Sequence, residues 1–155
     1  MSILKTIFKK KTTESGPISS KQKELVQSTF AMVAPIAETA ADIFYTRLFE
    51  IAPEVKPLFK GDIKEQGNKL MTMLAAAVKG LDDLGVLVPV VQDLGKRHVG
   101  YGVNDEHYDS VGAALLFTLE KGLGDAWNDE VQEAWTVVYT VLAGTMKEAS
   151  KEVAA

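Results

Sequence analysis

The chain has 155 residues, of which 46% are hydrophobic, 25% charged and 8% aromatic, the proportions of one globular domain able to enclose a small-molecule site. It has no cysteine, which excludes a disulfide scaffold, a thiolate-held zinc or iron–sulfur centre and a cysteine nucleophile. A net charge of -4 argues against general nucleic-acid binding, and no apolar run reaches the roughly 18 residues of a membrane span.

The first segment differs from the rest. Residues 1–11 carry Lys5, Lys9, Lys10 and Lys11 and no acid, so the other 144 residues hold 13 basic against 21 acidic side chains. Ile3, Leu4, Ile7 and Phe8 fall on one helical face opposite the lysines. That pattern suits an amphipathic anchor for an anionic membrane or an acidic partner, and equally a loosely docked or disordered extension. Thr12 to Pro17 is a linker broken at Gly16-Pro17. The expected division is therefore an extension and linker over 1–17 and a domain over 18–155.

From Ile18 onwards the apolar residues repeat at helical spacing. Ser19 or Ser20 caps a helix carrying Leu25, Val26, Thr29, Phe30 and Val33 that ends near Pro35. A second runs from about 36 to 50, with Ala40, Ile43, Phe44, Leu48 and Phe49 on a broad stripe. Pro53 and Pro57 interrupt the next stretch and leave Leu58-Phe59 in irregular chain. Leu70, Met73, Leu74, Ala77 and Leu81 mark a helix from about Lys64, stopped by Asp82-Asp83 and Gly85. Pro89 opens the next helix, on which Val90, Leu94 and His98 stand one turn apart on an inward stripe. A turn at Gly100–Asp105 and helices from about 105 to 121 and 129 to 151 complete the chain. No period-two pattern persists, so the predicted class is all-α, with seven or eight helices.

Few residues can carry chemistry. There is no glycine-rich phosphate loop and no nucleophile elbow. The acid pairs Asp82-Asp83 and Asp129-Glu130 fall at helix ends, where they read as solvated caps. Histidine chemistry is limited to His98 and His107. His98 suits either a core histidine bonded to helix-end carbonyls or a metal ligand. A single histidine is a poor zinc site but a sufficient axial ligand for haem iron. His107, in the polar run Asn104–Asp109, reads as a surface or hinge residue. Tyr45 follows Phe44 and brings into the core a hydroxyl that needs a partner, and Gln66 shares a stripe with Leu70. A core tyrosine and a surface glutamine explain that pair as well as a binding site does.

In order, Ile43-Phe-Tyr-Thr-Arg-Leu-Phe49, Pro53-Glu-Val-Lys-Pro-Leu-Phe59, Gln66-Gly-Asn-Lys-Leu-Met71, Asp93-Leu-Gly-Lys-Arg-His98 and His107-Tyr108 closely resemble a globin. The likeness runs from about Ile18 to Ser150. It is strongest to bacterial single-domain haemoglobins and the globin domain of flavohaemoglobins, with neuroglobin-like proteins as wider relatives. The resemblance implies a globin fold enclosing one haem b. His98 then corresponds to the proximal iron ligand and Phe59 to the phenylalanine against the porphyrin face. Tyr45, Gln66 and Leu70 correspond to the distal residues around the gas. Leu94 and Val103 correspond to proximal packing positions, and Lys69 and Arg97 to cations at the haem edge. A phenol O–H and an amide N–H aimed at a gas ligand each contribute on the order of 1 kcal/mol, about fivefold in affinity.

Two departures qualify the likeness. Flavohaemoglobins place a tyrosine and a glutamate behind the proximal histidine. Tyr108 matches the tyrosine, but Ser150 stands where the glutamate is expected, flanked by Glu148 and Glu152. The flavin and nicotinamide domains are not in this sequence, so repeated redox turnover calls for a separate reductase. The resemblance therefore implies reversible binding of dioxygen, and of nitric oxide and carbon monoxide, for transport or storage. The alternatives are nitric oxide dioxygenase activity with an external reductase, or a gas sensor or electron-transfer module. A cytoplasmic location, peripheral to the membrane where residues 1–11 engage it, is the matching expectation.

Overall fold

Ser19 begins the described fold with a reciprocal cap: its hydroxyl accepts from the Gln22 backbone N–H, and its own N–H donates to the Gln22 side chain, both at 3.0 Å. The computed structural model describes residues 18–59, 62–100 and 105–154, with backbone alone for 98–100, 105 and 152–154. The helices in order are α1 (Ser20–Val33), α2 (Ala37–Ile51), α3 (Ile63–Gly80), α4 (Leu84–Gly100), α5 (Asp105–Leu123) and α6 (Asp129–Ala154). Short 3-10 turns at Ala34–Ile36, Pro53–Leu58 and Gly124–Ala126 make the corners. Among the described residues there is no strand, in line with the all-α expectation. Residues 1–17, and with them the basic extension, lie outside the described residues, as does Val103.

The corners are set by local chemistry. Pro35 lies in the turn after α1, and Pro53 opens the turn after α2, so a helix ends before each proline. The 53–58 stretch expected as irregular is wound into 3-10 geometry. Asp62 caps α3 by accepting from the Lys64 N–H at 2.9 Å, and Asn128 caps α6 by accepting from the Val131 N–H at 2.9 Å.

The core is the common face of α1, α2, α5 and α6. Val26, Val33, Leu48 and Leu119 are the largest side chains fully buried there, and Leu81, just past the end of α3, is buried with them. Burying such side chains contributes about 1.5–3 kcal/mol each. Trp135 of α6 donates to the Thr29 hydroxyl at 2.9 Å, and Thr29 donates in turn to the Leu25 carbonyl at 2.6 Å. No polar group in that chain is left unsatisfied in the interior.

The structure corrects the expectation for α4 in two respects. The helix starts at Leu84 rather than at Pro89, and Gly85 lies within it rather than ending α3. Its first turn is held by the Asp83 carbonyl, which accepts from the N–H groups of Val86 (3.1 Å) and Leu87 (3.0 Å). Pro89 falls in the second turn on the solvent side, where the Gly85 carbonyl it cannot pair belongs to an exposed residue. The inward stripe is also different. Leu87, Val91 and Gly95 are buried, Leu94 is half-buried, and Val90 is 59% exposed. The buried face is chosen by the partner helix: α4 packs chiefly along α6.

Gly95 makes that packing close, since a Cβ there would stand 2.6 Å from the Met146 Cα. The obstruction is backbone, so it cannot swing aside. Gly95→Ala is expected to cost about 1–3 kcal/mol of folding stability, as overpacking does. Thermal unfolding checks this, and an unchanged midpoint would show that α4 and α6 slide apart freely.

Candidate functional site

The crossing of α2 and α3 buries a tyrosine among phenylalanines. Tyr45, 5% exposed, meets Phe44 edge-on at 5.1 Å and Phe59 edge-on at 5.2 Å, and lies tilted against Phe49 at 5.9 Å. Phe49 and Phe59 close the box at 5.7 Å from each other. These are favourable aromatic geometries, and they fix the ring before any ligand arrives. The Tyr45 hydroxyl donates to the Gln66 backbone carbonyl at 3.3 Å. Burial pushes its phenol from the ordinary 10.0 to about 12, so it remains a neutral donor throughout the physiological range.

Sequence reasoning passes over Gly67. It is buried where the two helices cross, and a Cβ on it would come within 2.8 Å of the Ala41 Cβ and 3.8 Å of the Tyr45 ring. The one signal for it is a glycine inside an otherwise strong helical pattern, which costs about 1 kcal/mol and implies a packing reason.

One stripe along α3, at Gln66, Leu70, Met73 and Ala77, borders this crossing. Leu70 packs with Phe30, Phe44 and Leu74 around a narrow apolar cavity. Gln66, Leu70 and Ala77 are half-buried, and Met73 is 43% exposed. Gly80 packs on Leu87 where the chain turns from α3 into α4, and the two helices otherwise touch little. Met73 of α3 and Val90 of α4 thus leave apolar surface uncovered on the two helices that flank this turn.

The remaining expected site residues are spread over α3 to α6. His98 lies in the last turns of α4, its side chain outside the described residues. Lys69 pairs with Glu65 at 4.0 Å, and Arg97 Nε donates to Asp93 at 2.9 Å, each across one turn of its own helix. Tyr108 is buried, its backbone carbonyl accepts from the Tyr139 hydroxyl at 2.6 Å, and the Lys147 ammonium lies 5.7 Å from its ring centre. Tyr139 rests against Gly112, and its phenol is pushed well above the usual range, chiefly by burial. Ser150, half-buried, donates to the Lys147 carbonyl at 2.7 Å, a bond within its own helix. His107 is half-buried at the start of α5. Tyr45, Gln66 and Phe59 are therefore brought together. Among the described residues no cluster of three or more acids and histidines could hold a metal by itself.

A globin family model matches residues 42–146. A flavohemoprotein of Bacillus subtilis is 33% identical over 129 residues, 81% of this chain and 32% of that protein. The chain spans about a third of the length of the flavohemoproteins it matches. A neuroglobin of Chaenocephalus aceratus is 29% identical over 145 residues, 84% of this chain and 91% of its own. Among solved structures, a bacterial globin from Campylobacter jejuni superposes with a TM-score of 0.77 at 26% identity, covering 88% of this chain and 99% of its own. An engineered carbene transferase, made from a candidate nitric oxide dioxygenase of Rhodothermus marinus, gives 0.78 at 25% identity and covers 88% and 96%.

Proposed function

The chain belongs to the globin family, and on that premise we propose that it binds haem b between α3 and α4 and reversibly takes up dioxygen, with Tyr45 as the principal distal donor. When bound, the haem supplies an iron centre that accepts a small gas molecule. The fit is supported by the apolar surface left uncovered at Met73 and Val90, beside half-buried Leu70 and Leu94, since a flat apolar group lying between the helices would cover it. His98 of α4 is the residue that would hold the iron. Phe59, Leu94, Val103 and Tyr108 would line the site. Lys69 and Arg97 would face the propionates, at the cost of loosening their bonds to Glu65 and Asp93.

The observation that carries the reading is the Tyr45 hydroxyl: buried, neutral, set in an aromatic box, and tied by a long bond to the Gln66 carbonyl. Reorienting from that carbonyl to an incoming gas exchanges one weak hydrogen bond for a better one. The aromatic walls keep competing water away. Gln66 and Leu70 complete the distal wall. Carbon monoxide and nitric oxide share the same pocket, with less gain from a hydrogen bond.

A second reading is nitric oxide dioxygenation, favoured by the likeness to the Rhodothermus marinus protein and by the flavohemoprotein relatives. It requires an external reductase to return electrons. Stopped-flow mixing of oxygen-loaded protein with nitric oxide separates the two. Nitrate formed over repeated turnovers as an added cellular reductase restores the protein supports the enzyme; a single equivalent of nitrate with no re-reduction supports the carrier.

The basic extension is proposed to act apart from the pocket. Four lysines near an anionic surface add about 1 kcal/mol each, an attraction that salt weakens. Deleting residues 1–16 is expected to leave haem uptake and oxygen kinetics unchanged while removing any low-salt sedimentation with anionic vesicles. Altered oxygen kinetics in the shortened protein would mean that the extension packs on the domain.

A further inference from the structure

The start of α1 and the turn from α3 into α4 leave a hollow between them. Ile18, Lys23, Leu81, Asp82 and Leu84 line this cavity of about 150 Å³. Its apolar lining lies deep: Ile18 and Leu81 are buried and Leu84 is half-buried. Its charges are opposite in sign on the two sides. Half-buried Lys23 belongs to α1. On the turn, Asp82 accepts from Gln27 Nε2 at 3.2 Å, and exposed Asp83 follows it. A cavity of this volume takes a group about the size of one benzene ring. The proposed haem site makes no use of it.

The chain carries an occupant of matching chemistry. Residues 1–17 join the described fold at Ile18, which is itself a wall of the cavity. Phe8 is the one aromatic residue among them, on the same helical face as Ile3, Leu4 and Ile7, and Lys9, Lys10 and Lys11 come directly after it. An apolar stripe of two turns holds no helix by itself in water and needs a surface to lie on. Nine residues separate Phe8 from Ile18, enough to span roughly 30 Å, so the segment reaches the cavity easily.

We propose that the extension docks back on its own domain: Phe8 seats in the cavity against Leu81 and Leu84, and the lysines after it face Asp82 and Asp83. The cavity's charges set the direction, because Lys23 repels those lysines and the two aspartates attract them. One seated ring and a few exposed ion pairs make a weak hold that salt loosens further. Phe8 and the same lysines are the groups that would engage an anionic membrane, so the domain and the membrane compete for one segment. The domain keeps the extension in reserve, and an anionic surface at low salt draws it off. The dock lies beyond the last turn of α3, whereas Gln66 is in its first, about 20 Å away along the helix. Seated or released, the extension therefore leaves oxygen kinetics unchanged.

Two measurements on the purified full chain test this. Methyl NMR of Leu81 and Leu84 reads the seat directly and needs neither haem nor gas. Phe8→Ala and deletion of residues 1–16 should move these methyls to the same new positions, because each removes the ring beside them, and leave those of Leu48 and Leu119, deep in the core, in place. Leu81 and Leu84 methyls that stay put in Phe8→Ala overturn the proposal. So does a shift that vanishes on dilution, which would put the extension of a second copy in the cavity.

Sedimentation at low salt with vesicles of phosphatidylserine and phosphatidylcholine reads the competition. Asp82→Asn with Asp83→Asn releases the extension and should raise vesicle affinity about two- to fivefold, the weight of one or two exposed ion pairs. Glu120→Gln with Glu133→Gln makes the same change in net charge at other exposed positions and should have little effect. No gain in the aspartate pair, or an equal gain in both pairs, would show that the domain does not hold the segment against the membrane.

Discussion

Replacing His98 by alanine is expected to abolish stable haem retention, while the same change at His107 leaves the haem spectrum nearly unchanged. The contrast comes from position. His98 lies near the end of α4, a helix with Leu87, Val91 and Gly95 buried and packed along α6, closely so at Gly95. An axial ligand on so firmly held a helix is preorganised, and its loss has no substitute: the chain has only one other histidine, at the start of α5. Losing a residue that merely orients a metal ligand costs about 10–100-fold in affinity, so losing the proposed ligand itself should cost more. Haem transfer to an acceptor protein measures the rate, and the ferrous spectrum reports the coordination. A His98→Ala protein that keeps a normal five-coordinate, histidine-ligated spectrum would remove His98 from the proposed site.

Replacing Tyr45 by phenylalanine should raise the oxygen dissociation rate about fivefold or more, the equivalent of one lost hydrogen bond of about 1 kcal/mol. The ring stays, so its packing with Phe44, Phe49 and Phe59 is retained and the fold survives. Gln66→Leu should raise the rate less, because the contact seen between these residues runs through the Gln66 backbone carbonyl, which leucine preserves. The phenol also predicts a pH response. Its folded value of about 12 lies above the ordinary 10.0, so the unfolded chain gives up this proton first as pH rises. The associated stability is complete below pH 10 and is lost progressively between 10 and 12. Alkaline unfolding should therefore be shallower in Tyr45→Phe over that interval. Dissociation rates that are equal in the original protein and both variants would show that neither residue reaches the ligand.

Gly67 and Ala41 show why part of the site escapes a reading along the chain. Tyr45 and Gln66 stand out in a linear sequence because a hydroxyl and an amide on apolar stripes need an explanation. Gly67 and Ala41 carry no such mark. Their importance comes from a contact between two helices, and it becomes visible only when the missing Cβ is built against its neighbour. Gly95 against Met146 is the same case on the other side of the fold.

What the amino-acid order determined by itself was the helical period, the caps and breakers at Ser19, Pro35 and Pro53, and the family-level pattern from Ile43 to Tyr108. These are local properties, set by residue type and spacing within a turn or two. The tertiary structure alone decided where α4 begins, which of its faces is buried, and that the Tyr45 hydroxyl meets a backbone carbonyl rather than a side chain. Periodicity allows several neighbouring apolar stripes on one helix, as Val90–Leu94 and Leu87–Val91 both illustrate. The choice between them belongs to the partner helix, whose shape is written in residues far away in the chain.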